Sequence, residues 1–255
     1  MTLIKTQEEI SIMRESGRIA AEILKKVEER VAPGVTTREL DKLAEELIIS
    51  YGVEPAFRGQ PSGKNGELYP AVLCASVNSV VVHGLPSDYK LQNGDILGLD
   101  FGVIHKGYYS DLAVTVPVGN ISDEARRLID VTKRALRQGL KKVHPGSTTG
   151  DIGNTIQRWV ESHGYEVVRD LCGHGIGKEL HEEPQVQNYG KRHKGDVLKE
   201  GMVLAIEPMV TAGSFEVVIS QDNQSWVTKD NSLSAHFEYT VVVTKDGCEV
   251  LTSIR

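Results

Sequence analysis

The sequence predicts an α+β chain of two similar halves, residues 1–118 and 119–255, sharing one sheet and core as a single domain. Three observations lead there. Amphipathic helix patterns are interspersed with β-branched strand runs and hairpin turns. Segments of the first half recur in the same order in the second, more often than common helix and strand patterns coincide. No Ser- or Pro-rich linker separates the copies.

The helices come in pairs. Residues 6–31 carry apolar side chains at helical spacing through Ile10, Met13, Gly17, Ala20, Leu24 and Val27. The counterpart starts at Ser122 and continues through Ala125, Leu128, Ile129, Ala135, Leu136 and Leu140. Each is followed by a Pro-Gly turn, Pro33-Gly34 and Pro145-Gly146. Each turn leads to a Thr placed to cap a helix, with an acid three residues later: Thr36 with Glu39, Thr148 with Asp151. These second helices run to Tyr51-Gly52 and to His163-Gly164, each closing on a glycine suited to a C-cap.

The strands recur too. Gly94-Asp95-Ile96-Leu97-Gly98-Leu99-Asp100 is matched by Gly201-Met202-Val203-Leu204-Ala205-Ile206-Glu207: a glycine, an apolar run, then an acid. Asp111-Leu112-Ala113-Val114-Thr115-Val116 is matched by Glu238-Tyr239-Thr240-Val241-Val242-Val243, an acid opening a β-branched run. His105-Lys106-Gly107 reads as the hairpin turn joining the strands of Asp100 and Asp111.

Composition narrows the function. A net charge of −6 argues against an electrostatic nucleic-acid binder, and no DNA partner is expected. Lys191-Arg192-His193-Lys194 reads first as a solvated loop and second as a transient contact with RNA or the ribosome. Three scattered cysteines, Cys74, Cys172 and Cys248, argue against a disulfide framework. The N-terminus lacks a signal-peptide pattern, and no apolar run approaches the ~18 residues of a membrane span. A cytoplasmic, monomeric protein is expected.

The chemistry concentrates in Asp100, Asp111, His174, Glu207 and Glu238. Carboxylates and imidazole are the ligands that hold paired divalent metals about 3.5–4 Å apart. Four carboxylates balance two such ions; without them, some of the four would have to take up protons. Asp is disfavoured inside strands, so Asp100 after an apolar run needs a reason. The plainer readings are an acid capping a turn, or a Glu paired with Lys or Arg. His174 lies between glycines in Cys172-Gly173-His174-Gly175-Ile176-Gly177, where a metal can approach closely. His181 follows in His181-Glu182-Glu183-Pro184, which is not the His-Glu-x-x-His of a zinc protease. His83 closes the apolar run Val80-Val81-Val82. Neither a phosphate-binding loop nor a Gly-x-Ser-x-Gly elbow is present.

In these stretches, together with Asn78-Ser79-Val80-Val81-Val82-His83-Gly84, Ile206-Glu207-Pro208-Met209 and Glu238-Tyr239-Thr240, the chain resembles the type I methionine aminopeptidases of bacteria, over nearly its whole length. The resemblance implies a pita-bread fold, two pseudo-symmetric halves around a central antiparallel sheet. It implies two divalent ions (Co, Mn, Fe or Zn) held by Asp100, Asp111, His174, Glu207 and Glu238. It implies that His83 and His181 contact substrate and the developing intermediate, and that Tyr69, Cys74 and Trp226 line the methionine pocket, although Trp226 reads equally well as a core residue. The expected activity is removal of the N-terminal methionine from nascent chains, with small second residues favoured and Glu207 relaying the proton. Leu180 departs from the aromatic often found before the second histidine, and residues 59–67 form a longer, more polar segment, expected to be a lip over the entrance. Too few residues separate His181 from Glu207 for the helical insertion of type II enzymes. The alternatives are an Xaa-Pro aminopeptidase or prolidase of the same fold, and a non-catalytic binding relative. The former usually carry an extra N-terminal domain; the latter typically lose the metal ligands.

Overall fold

The computed structural model describes residues 3–62 and 66–253. Its helices are α1 (Gln7–Glu28), α2 (Thr37–Tyr51), α3 (Asp123–Leu140) and α4 (Thr149–Glu161). The caps are those read from sequence. Thr36 with Glu39 and Thr148 with Asp151 form reciprocal capping boxes, and Thr6 with Glu9 forms a third. Ser122 caps α3 by accepting from the Ala125 N–H. Gly52 closes α2 in the left-handed conformation at φ 64°. Two ends differ from expectation. The first helix stops at Glu28, short of Val31, and α4 stops at Glu161 with Ser162, not Gly164, as its cap.

The two Pro-Gly turns are tied down in the same way. Gly34 N–H donates to the Leu91 carbonyl, and Gly146 N–H to that of Leu198. In return, Leu91 donates to Val35 and Leu198 to Ser147. The helix pairs of the two halves thus meet equivalent strand-like segments.

Nine strands form one antiparallel, curled sheet: β1 (Glu54–Pro55), β2 (Leu73–Val77), β3 (Ile96–His105), β4 (Tyr108–Pro117), β5 (Gly173–Gly175), β6 (Glu182–Val186), β7 (Val203–Ile206), β8 (Glu238–Thr244) and β9 (Gly247–Val250). The order is β1-β3-β4-β8-β7-β5-β6, with β2 also on β3 and β9 also on β8. The β3–β4 turn is the expected hairpin, with Lys106 and Gly107 both at positive φ (50° and 77°), the conformation of a type I′ turn. The first and second halves join where β4 meets β8, through Glu238 opposite Ala113 and Tyr239 opposite Leu112. Thr240 reinforces that short seam: it accepts from the Asp111 N–H at 3.0 Å and donates to the Asp111 carbonyl at 2.7 Å. This is the pita-bread architecture expected from the sequence.

One face of the sheet packs against the helices. Leu97, Leu99, Phe101 and Val103 of β3 join Leu24 of α1, Leu40 of α2, Leu128 of α3 and Ile156 of α4 in a continuous core. Each such side chain contributes about 1.5–3 kcal/mol on burial. Among the described residues no helix is long and apolar enough to cross a membrane.

The basic segment 191–194 is an exposed loop, pinned by Gly150 N–H donating to the Lys194 carbonyl. It passes close over α4 where a Cβ on Gly150 would meet the carbonyls of Lys191 and Lys194. A Cβ on Gly153 would meet the backbone oxygens of Gln187 and Tyr189. Gly→Ala inside a helix ordinarily gains roughly 0.5–1 kcal/mol. Here the clash with backbone should reverse the sign: Gly153→Ala is expected to lose about 1–3 kcal/mol, read as a lower urea midpoint at unchanged m-value.

Candidate active site

The sheet register brings the predicted acids together. Alternation along β3 sends Leu99 and Phe101 into the core, so Asp100 points to the opposite face. Across the strands Cys74 pairs with Asp100, Asp100 with Ala113, and Ala113 with Glu238, forming one row on that face. Asp111 stands two residues from Ala113, diagonal to Asp100 on the same face. A second row runs through Thr240, Ala205 and His174. Glu207 follows directly on β7, and its carbonyl accepts from Asn188 Nδ2 at 3.0 Å. Ala113 and Ala205 keep the floor low between the larger side chains.

Glycines let β5 fit this arrangement. A Cβ on Gly173 would meet the Ala205 carbonyl, and one on Gly175 the Glu183 carbonyl. Between them the His174 Nδ1–H donates to the Gly175 carbonyl at 2.9 Å, because a carbonyl can only accept. That fixes the tautomer and leaves the Nε2 lone pair free, 3.5 Å from Glu207 Oε1.

Asp111, His174 and Glu238 offer donor atoms within 4.8 Å of one another, and Glu207, His236 and Glu238 do the same. Asp100 Oδ1, Asp111 Oδ1 and Glu238 Oε1 are buried without a hydrogen-bond donor. Isolated buried carboxylates are costly. Burial accordingly pushes Asp100 up to about 7, and raises Asp111, Glu207 and Glu238 well above the usual carboxylate range. Repulsion from neighbouring acids adds to the rise for Asp111 and Glu238. Burial lowers His174 to about 3 and His83 to about 4, and lowers His181, keeping their nitrogens neutral. Orphaned oxygens beside neutral imidazole are a donor set that fits divalent first-row ions.

A cleft of about 510 Å³ opens over this floor. Phe57, Tyr69, Cys74 and Leu180 give it apolar walls, and Gln60, Pro61 and Ser62 border it. Tyr69 is held by its hydroxyl, which contacts the carbonyls of Leu73 and Gly84 at 3.1 and 3.0 Å. His83 and His181 also line the cleft. His83 sits at a positive φ of 57°, and its buried Nδ1 has no partner. His181 meets the His174 ring edge-on, with centroids 4.5 Å apart.

Trp226 is not among the residues that line this cleft. It pairs with Val82 in a small ribbon and packs with Val81, Val82, Val168 and Met209, outside the residues that line the cleft. Its large apolar surface serves that satellite core, the other reading open to it in the sequence. Part of the expected lip is a two-stranded ribbon, Pro61–Ser62 against Glu67–Leu68; residues 63–65 of it lie outside the described residues. Two site residues escape the sequence reading. Phe57 had no local pattern to mark it. His236 had one: it stands two residues before Glu238, which is same-face spacing along a strand.

The sequence matches the model of metallopeptidase family M24 over residues 11–245. It is 46% identical to a methionine aminopeptidase of Clostridium perfringens, over 100% of both chains. It is 44% identical to methionine aminopeptidase 1 of Bacillus subtilis, again over 100% of both. Its fold superposes on the crystal structure of methionine aminopeptidase from Rickettsia prowazekii with a TM-score of 0.93 at 42% identity, covering 98% of this chain and 99% of that one.

The raised carboxyls set a pH dependence. Their folded pKa values exceed the unfolded values near 4, so the folded, chelator-treated protein binds more protons than the unfolded chain. Stability therefore falls as pH rises from the unfolded values near 4 to the folded ones, the Asp100 share being lost by about pH 7. The depressed histidines oppose this loss only below their unfolded pKa of about 6.5. Calorimetry between pH 6.5 and 7.5 should show Tm declining in chelator. Saturating Mn²⁺ should flatten that decline and raise Tm, an ion at 100 times its Kd contributing about 2.7 kcal/mol.

Proposed function

The chain belongs to metallopeptidase family M24, and we propose that it removes the N-terminal methionine from nascent polypeptides by peptide hydrolysis assisted by two divalent ions. One observation supports this reading above others: buried Asp100, Asp111, Glu238 and His174, with partly buried Glu207, share one face at the floor of an apolar-walled cleft that His83 and His181 also line. All of 1–255 acts in this reading as one catalytic domain, its halves 1–118 and 119–255 each contributing acids.

Asp100, Asp111, His174, Glu207 and Glu238 would hold the ions. When bound there, the ions would lower the pKa of a water and polarise the scissile carbonyl. Glu207 takes the proton of the attacking water on a carboxylate oxygen and returns it to the leaving amine. His181, neutral and at the cleft wall, donates an N–H to the oxygen where negative charge develops. His83 uses its unpartnered Nδ1 on the substrate backbone beside the first peptide bond. The methionine side chain lies against Phe57, Tyr69, Cys74 and Leu180, surfaces suited to a flexible thioether. Crowding near His83 restricts the second residue to small side chains. The protein works in the cytoplasm as a monomer, and the exposed 191–194 loop is a solvated one.

The test is release of methionine from Met-Ala-Ser by metal-stripped protein titrated with Mn²⁺ or Co²⁺, with Ala-Pro-Ser as control. Metal-dependent cleavage of the first peptide alone is expected. Cleavage of Ala-Pro-Ser instead would move the chain to the Xaa-Pro-specific branch, and metal binding without turnover on either would make it a binding protein. Glu207→Gln is expected to lower kcat by about 10²–10⁴, and His181→Ala by roughly 10²–10³. Near-full turnover by metal-loaded Glu207→Gln would remove Glu207 as the proton carrier.

A further inference from the structure

His236 is built into the site as firmly as the five residues read from sequence. It ends the short strand Ser234–His236, opposite Met209 of the strand Met209–Thr211. Thr115 holds its backbone from both sides: the His236 N–H donates to Thr115 Oγ1 at 2.9 Å, and that hydroxyl donates to the His236 carbonyl at 2.8 Å. The intervening Phe237 packs into the main core. Alternation then turns His236 and Glu238 the same way, onto the acid-bearing face.

The side chain is 3% exposed, and its Nε2 has no hydrogen-bond partner. That nitrogen lies 3.6 Å from Glu207 Oε2 and 3.9 Å from Glu238 Oε2. Both distances are too long for hydrogen bonds. They approach the roughly 3–3.5 Å that separates donor atoms bound to one ion at ~2.0–2.2 Å. His174 Nε2 stands at 3.5 Å from the other oxygen, Glu207 Oε1. One imidazole therefore faces each oxygen of the Glu207 carboxylate. The donor atoms also fall into two triads that share Glu238: one with Asp111 and His174, the other with Glu207 and His236.

We propose that His236 is a sixth side chain of the metal centre, its Nε2 ligating the ion between Glu207 and Glu238. The inference rests on reading the acid cluster as a two-ion site. The centre would then hold two imidazoles, His174 and His236, beside its carboxylates. A second nitrogen shifts the centre from one suited to Mn²⁺ toward one suited to Zn²⁺, Co²⁺ or Fe²⁺, for which imidazole is the better donor.

The test uses the whole chain, stripped of metal and titrated with Zn²⁺ against a chromophoric chelator. X-ray absorption at the zinc edge of the two-zinc protein then counts imidazoles. The expected count is one per zinc in the wild type, falling to half in His236→Gln. The variant should keep one ion at wild-type affinity and bind the second more weakly by about 10–100-fold or more, with its metal-free circular dichroism unchanged. Two zinc ions with half an imidazole each in the wild type would overturn the assignment without any variant. So would a His236→Gln protein that binds both ions as tightly as the wild type; His236 would then merely pack beside Glu207. A wild type that binds fewer than two ions would defeat the two-ion reading, and this inference with it.

Discussion

Four carboxylates held within reach of one another, out of water, are the constraint on which the rest of this molecule depends. Their mutual repulsion and desolvation oppose folding unless protons or cations take up the charge. Burial and repulsion raise their pKa values, and the surrounding histidines are kept neutral by the same burial. A cluster of this kind is unfavourable on its own and favourable once filled. Cation affinity is thus coupled to the stability of the fold that gathers it.

The fold accommodates that cluster by placing it where its two halves join. Contact between β4 and β8 is short, and Glu238 and Asp111 stand on it. Thr240 stitches the seam with two hydrogen bonds to the Asp111 backbone, holding that strand while its side chain faces its neighbours. Small residues make room: Ala113 and Ala205 floor the site, and Gly173 and Gly175 let β5 lie against β7 and β6. Replacing any of these with a larger residue would separate the donors before it touched one of them. The apolar cleft wall and the polar floor meet at Cys74 and Asp100, paired across β2 and β3.

Much of this was legible in the sequence, for identifiable reasons. Helix starts carry their information locally: Thr36 with Glu39 and Thr148 with Asp151 satisfy backbone groups within one turn. Acids that interrupt apolar strand runs are anomalous where they stand, so Asp100, Asp111 and Glu238 mark themselves, and the repeat strengthens each. Helix ends were less well placed: α1 stops at Glu28, short of Val31, and α4 at Glu161, short of the expected glycine. Trp226 shows the converse. A large aromatic near a site can serve pocket or core, and composition does not distinguish the two.

By itself, then, the sequence determined the α+β class, the duplicated order of elements, the helix N-caps and which five side chains are candidate donors. Each of these depends on chemistry local to a few residues or on spacing along one element. Only the tertiary structure decided which donors share a triad, that Phe57 and Leu180 wall the cleft, and that His236 faces Glu207 and Glu238. Those facts depend on register between strands far apart in the chain. A shift of one residue in that pairing would turn every donor on the strand to the opposite face.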